Sequence, residues 1–83
     1  MTETKKGTQI QSLMVGFRII DLLAKKANPL KFNEIHHETQ ISKSNLYKYL
    51  NTLTSLGILY RSKETGAYSL GTTLIKYGMS AVN

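Results

Sequence analysis

The chain of 83 residues is predicted to be mainly α-helical with one small β-hairpin. Three observations carry that expectation. Apolar residues recur at three- and four-residue spacing before Gly57 and again after Thr72; between Ile58 and Leu70 the period shortens towards two. Asn28-Pro29, Gly57, Gly66 and Gly71 punctuate the joins. The length allows one small domain, and 41% hydrophobic with 19% charged residues is a globular composition. A domain this small buries a low fraction of its surface, so it gains stability from disulfides, a metal or a partner subunit. Cysteine is absent, which excludes disulfides, thiolate metal sites and cysteine nucleophiles and leaves self-association as the reinforcement.

Eleven Lys and Arg against five Asp and Glu leave a formal charge of +6, which points to an anionic partner, either nucleic acid or a membrane surface. The first ten residues hold no apolar signal core, and no segment approaches eighteen consecutive apolar residues. A cytoplasmic location is expected.

Taken in order, residues 1–10 read as a flexible basic arm in which Lys5 and Lys6 could trail along phosphates. Ser12 then reads as the cap of a first helix reaching about Lys26, with Leu13, Phe17, Ile20, Ala24 and Ala27 as its core stripe. Val15, Ile19 and Leu22 form a second stripe, roughly 100° or more around the wheel. The extra apolar side needs a cover, either the C-terminal helix of the same chain or a second subunit. Asn28-Pro29 ends the helix and Asn33 is expected to cap a brief second one, residues 34–39, with Ile35 inward. His36 and His37 are adjacent, point to different sides and cannot share a metal, so they read as surface or capping residues.

A short connection, residues 39–42, leads to a third helix over 43–56, capped by Ser42 and stopped by Gly57. Leu46, Leu50 and Leu53 stack on one side, while Ser44, Lys48, Asn51 and Ser55 gather opposite with no carboxylate among them. Lys43, Asn45 and Tyr47 add further donors. Two helices joined by a tight turn, the second with a polar basic face, is the helix-turn-helix plan. Residues 58–70 read as a hairpin in which Ile58, Tyr60, Tyr68 and Leu70 alternate with polar partners around the turn 63–66, and Arg61 and Lys63 lie on it. A hairpin behind such a helix is a wing, so the fold class is winged helix-turn-helix. Residues 11–71 form that domain. Residues 72–83 are expected as a C-terminal linker or dimerisation helix carrying Leu74, Tyr77, Gly78 and Ala81 on one side.

These elements resemble the N-terminal winged-helix domain of IclR-type transcriptional regulators over residues 11–78. The likeness is carried by Q-S-L at 11–13, F-R-I-I-D-L-L-A at 17–24, I-S-K-S-N-L-Y-K-Y-L-N-T-L at 41–53, L-G-I-L at 56–59 and G-A-Y-S-L-G at 66–71. The resemblance implies a sequence-specific DNA-binding domain acting as a dimer or a dimer of dimers, normally followed by a larger effector-sensing domain, with Ser42, Lys43, Ser44, Asn45, Tyr47 and Lys48 approaching DNA. Tyr47-Lys48 stands where the family commonly has histidine-arginine, which implies a different operator.

The leading expectation is therefore sequence-specific double-stranded DNA binding by a transcriptional regulator. Lys43, Lys48, Arg61 and Lys63 would neutralise phosphates while Ser44, Asn45, Tyr47 and Asn51 reach base edges, the helix lying in the major groove and the wing, residues 61–67, on backbone or minor groove. Ser42 completes the set as the cap. The alternative is a winged-helix protein-interaction module anchored by Tyr47, Tyr49 and Tyr60. An enzyme is not expected: no His/carboxylate pair, glycine-rich phosphate loop or activated nucleophile is legible. No cofactor, metal or membrane partner is expected, a homodimer is, and a small-molecule effector only through a further domain outside this chain.

Overall fold

The computed structural model describes residues 6–82. A single 3-10 turn, Lys6–Thr8, precedes α1 (Gln11–Lys25), α2 (Phe32–Thr39), α3 (Lys43–Ser55), the strands β1 (Leu59–Arg61) and β2 (Tyr68–Leu70), and α4 (Thr73–Val82). The expected arm falls partly on residues 1–5, outside the described residues. The chain is thus mostly helical with one antiparallel hairpin.

One core joins these pieces: Ile19 and Leu23 of α1, Ile35 of α2, Leu46 and Leu50 of α3, Leu59 of β1 and Tyr68 of β2. Burying each aliphatic side chain contributes about 1.5–3 kcal/mol, so these few residues dominate cohesion. In the hairpin Leu59 faces Leu70, Tyr60 faces Ser69 and Arg61 faces Tyr68. Leu30 adds a rung on the far side of β2, donating to Tyr68 O at 3.0 Å and accepting from Tyr68 N at 2.7 Å. The wing is thereby tied to the segment that opens α2.

Several sequence expectations change. The core stripe of α1 is Ile19, Ile20 and Leu23, whereas Leu13 and Phe17 are 61% and 54% exposed. Both sides of α1 are apolar, and α2 and the hairpin cover the one offering branched side chains instead of the one ending in Ala24 and Ala27, whose single methyls have little area to bury. Nor does α4 cover the other side, since none of its residues is buried. Ser12 is not the cap of α1: Ile10 O already accepts from Met14 N, which places Ser12 inside the first turn. Asn33 likewise sits within α2, which opens at Lys31; Glu34 Oε1 accepts the Lys31 N–H at 2.7 Å and satisfies one of the free amides there. In β1 it is Leu59 that is buried, with Tyr60 59% exposed.

Gly57 and Gly71 meet where the hairpin closes. A side chain on Gly71 would stand 2.3 Å from the Gly57 carbonyl oxygen, and Gly57 itself has φ +75. Gly71 N donates to Ile58 O, and Thr73 N to Gly57 O, so this close approach also launches α4.

Candidate nucleic-acid interface

The turn between α2 and α3 is held by side chains as well as by backbone. Gln40 adopts a left-handed conformation, φ 60, and its N–H returns to His36 O. Thr39, buried, donates its hydroxyl to Ile35 O and accepts from Ile41 N; Nδ1 of His36 lies 2.6 Å from Ile41 O, a contact that requires the proton on Nδ1. Arg18 reaches across from α1 and donates from Nη2 to Thr39 O at 2.7 Å. It thereby satisfies a carbonyl at the end of α2 that the helix leaves open. Sequence reading missed this role of Arg18, because its partner lies 21 residues away and no local pattern marks it.

This turn aims α3. Ser42 Oγ accepts from Asn45 N and caps the helix, as its position implies. Leu46 and Leu50, fully buried, anchor the reverse face. Ser42, Lys43, Ser44, Asn45, Tyr47, Lys48 and Asn51 are all exposed, and α3 carries no acidic residue. Nothing on that face would repel a polyanion.

The residues do not form one undivided patch. At about 100° per residue, Ser44, Lys48 and Ser55 form the crest of α3. Tyr47 and Asn51 descend towards the wing, where with Phe32, Arg61, Gly66 and Tyr68 they line a cleft of about 460 Å³. Asn45 and Lys48 border the opposite flank, where α3 and α1 enclose an apolar groove of about 680 Å³ floored by Leu13, Phe17 and Leu56.

The wing is a self-bonded loop. Ser62 Oγ accepts from Glu64 N and Thr65 N, Gly66 N donates to Ser62 O, and Ser62 N donates to Ala67 O. Arg61, exposed, leaves β1 with its guanidinium carbon 5.9 Å from the centre of the Tyr68 ring, within cation–π range. Gly66 has φ +76, a left-handed conformation that favours glycine, and a side chain there would come 3.2 Å from Arg61 Nη2. Lys63 is exposed at the tip. Among the described residues no three His, Asp or Glu gather to hold a metal, and no helix is long and apolar enough to cross a membrane.

A three-helix core, a tight turn before an outward polar helix, and a hairpin behind it define a winged helix-turn-helix domain. The model of the IclR helix-turn-helix domain matches residues 12–63, and the chain belongs to that family. It is 28% identical over 78 residues to the HTH-type transcriptional regulator KdgR of Dickeya chrysanthemi, covering 94% of this chain and 25% of that protein. Among solved structures, an IclR-type transcriptional regulator of Alicyclobacillus acidocaldarius superposes with a TM-score of 0.84 at 26% identity over 90% of this chain and 30% of its own. Thermotoga maritima IclR superposes with a TM-score of 0.79 at 32% identity over 88% of this chain and 29% of its own. The chain therefore spans between a quarter and a third of these relatives' length. Its family is one of transcriptional regulators, a non-enzymatic role that implies DNA binding.

Proposed function

We propose that this chain binds double-stranded DNA sequence-specifically, with α3 in the major groove and residues 61–67 of the wing against backbone or minor groove. The observation that carries the reading is the exposed, carboxylate-free face of α3 backed by the buried Leu46 and Leu50. Lys43, Lys48, Arg61 and Lys63 neutralise phosphates and set register; Ser44, Asn45 and Asn51 present donors and acceptors to base edges, and Ser42 fixes the start of the helix. Residues 11–71 serve as the binding module and 72–83 as the helix that links or pairs it. The chain acts in the cytoplasm as a homodimer.

Selection from a random duplex pool tests this directly. A defined sequence should be enriched, and its affinity should fall against salt on logarithmic axes with a slope of roughly −4, one phosphate for each of the four cations. A flat salt response with no enriched sequence overturns the reading. The rival protein-interaction module loses one of its three aromatic anchors, since Tyr49 is half-buried against the core.

A further inference from the structure

We infer that the cleft between α3 and the wing is a seat for one backbone phosphodiester of the duplex, with the Tyr47 hydroxyl and the Arg61 guanidinium as its ligands; this rests on the DNA-binding reading above. An α-helix with its side chains is about 10–12 Å across and the major groove about 12 Å wide. A helix lying in the groove therefore turns its first turn and its crest to the base edges, and its flanks beyond that turn to the sugar-phosphate walls. Tyr47 stands nearly a quarter turn from the Ser44 and Lys48 crest, on the wing flank. Its place faces a wall.

What shares that flank is chemically selective. Arg61 brings five N–H donors and a permanent charge, Tyr47 a hydroxyl donor and Asn51 an amide, while the rest of the lining is Phe32, Gly66 and Tyr68. No carboxylate lines the cleft. The guanidinium lies within cation–π range of the Tyr68 ring, and its Nη2 would be 3.2 Å from a side chain on Gly66, so it stands over the mouth of this cleft. Donors from two elements, one of them permanently cationic, line this one opening. A phosphate oxygen supplies their acceptor, and charge-assisted bonds of this kind are the strong ones. Tyr47 is then a backbone ligand and not a reader of bases, and Tyr68 is a positioning residue for Arg61.

The test uses the whole chain and a duplex enriched from the random pool, with neutral methylphosphonate placed at one phosphate at a time. The wild type should lose on the order of tenfold in affinity at the seat. At that same position the substitution should cost Arg61→Gln less than about twofold, since the charged ligand is already gone, and Tyr47→Phe an intermediate amount, since Arg61 remains. Tyr47→Phe should melt with the wild type and reselect the same sequence. Two results overturn the inference while leaving DNA binding intact: a changed base preference for Tyr47→Phe, or losses for the two variants that map to different phosphates. Failure to enrich any duplex overturns both.

Discussion

Glu64 is the single carboxylate of the wing, exposed at its tip beside Lys63. If the tip approaches the duplex, that charge opposes binding, and Glu64→Gln should tighten it by roughly two- to fivefold at low salt. The gain should fade as salt rises, because exposed charges are screened beyond about 10 Å at 0.1 M. Binding curves for the two proteins that coincide at low salt would place the tip away from DNA. Lys48, on the crest of α3, makes the complementary case. Lys48→Ala should cost on the order of 1–3 kcal/mol of binding if the ammonium reads a base, and the cost should then differ between duplexes. The same loss on every duplex would make it a phosphate contact. A lysine offers a point donor where an arginine offers a fork, so Lys48→Arg should alter base preference in the base-reading case and leave it unchanged in the phosphate case.

At the scale of elements, the third helix was the most legible and the first the least, for reasons visible in their residues. Ser42 and Gly57 mark the ends of α3 by chemistry that acts within three residues, a hydroxyl on Asn45 N and a left-handed backbone. In α1 both apolar sides satisfy the helical period, and which one is covered depends on α2 and the hairpin, far along the chain. In β1 the run Ile58-Leu59-Tyr60 holds three apolar residues together, so alternation carries no phase and only the pairing of Leu59 with Leu70 sets it. The candidate site divides the same way. The donors of α3 could be read from the wheel, whereas the Arg18 clasp on Thr39 and the Tyr68 platform under Arg61 join residues that only the fold brings together. Gly57 and Gly71, from two separate stretches of the chain, have a joint spatial meaning too. Gly71→Ala should destabilise the domain by about 1–3 kcal/mol or more, because the methyl meets the Gly57 carbonyl in a backbone contact that no rotamer change relieves. Denaturant unfolding measures it, and an unchanged midpoint would show that the hairpin and α4 yield freely at this point.

For the molecule as a whole, what stands out is apolar surface left uncovered on the side of α1 away from the core. Ile10, Leu13, Phe17 and Leu56 are each more than half exposed, and they floor one continuous groove between α1 and α3. Small monomers rarely leave a contiguous patch of this kind in water. A second copy related by a two-fold axis would cover the patch with its own equivalent, since such an interface is self-complementary. The spare face is thus the Leu13 and Phe17 side, not Val15, Ile19 and Leu22. Because the groove ends at Asn45 and Lys48, pairing here would also fix the angle at which two copies of α3 approach a duplex. Half-sites roughly 34–36 Å apart, or multiples of that spacing, suit two recognition helices on one face of the DNA. Phe17→Glu should therefore shift sedimentation towards the monomer and lower affinity for a two-half-site duplex far more than for a single half-site. Its melting temperature should equal that of the wild type once both are dilute enough to be monomeric, since Phe17 is 54% exposed and lies outside the core, and should fall below it only at concentrations where the wild type pairs. If the variant sediments as the wild type does and binds both duplexes with unchanged affinity, the groove between α1 and α3 is not where two copies meet.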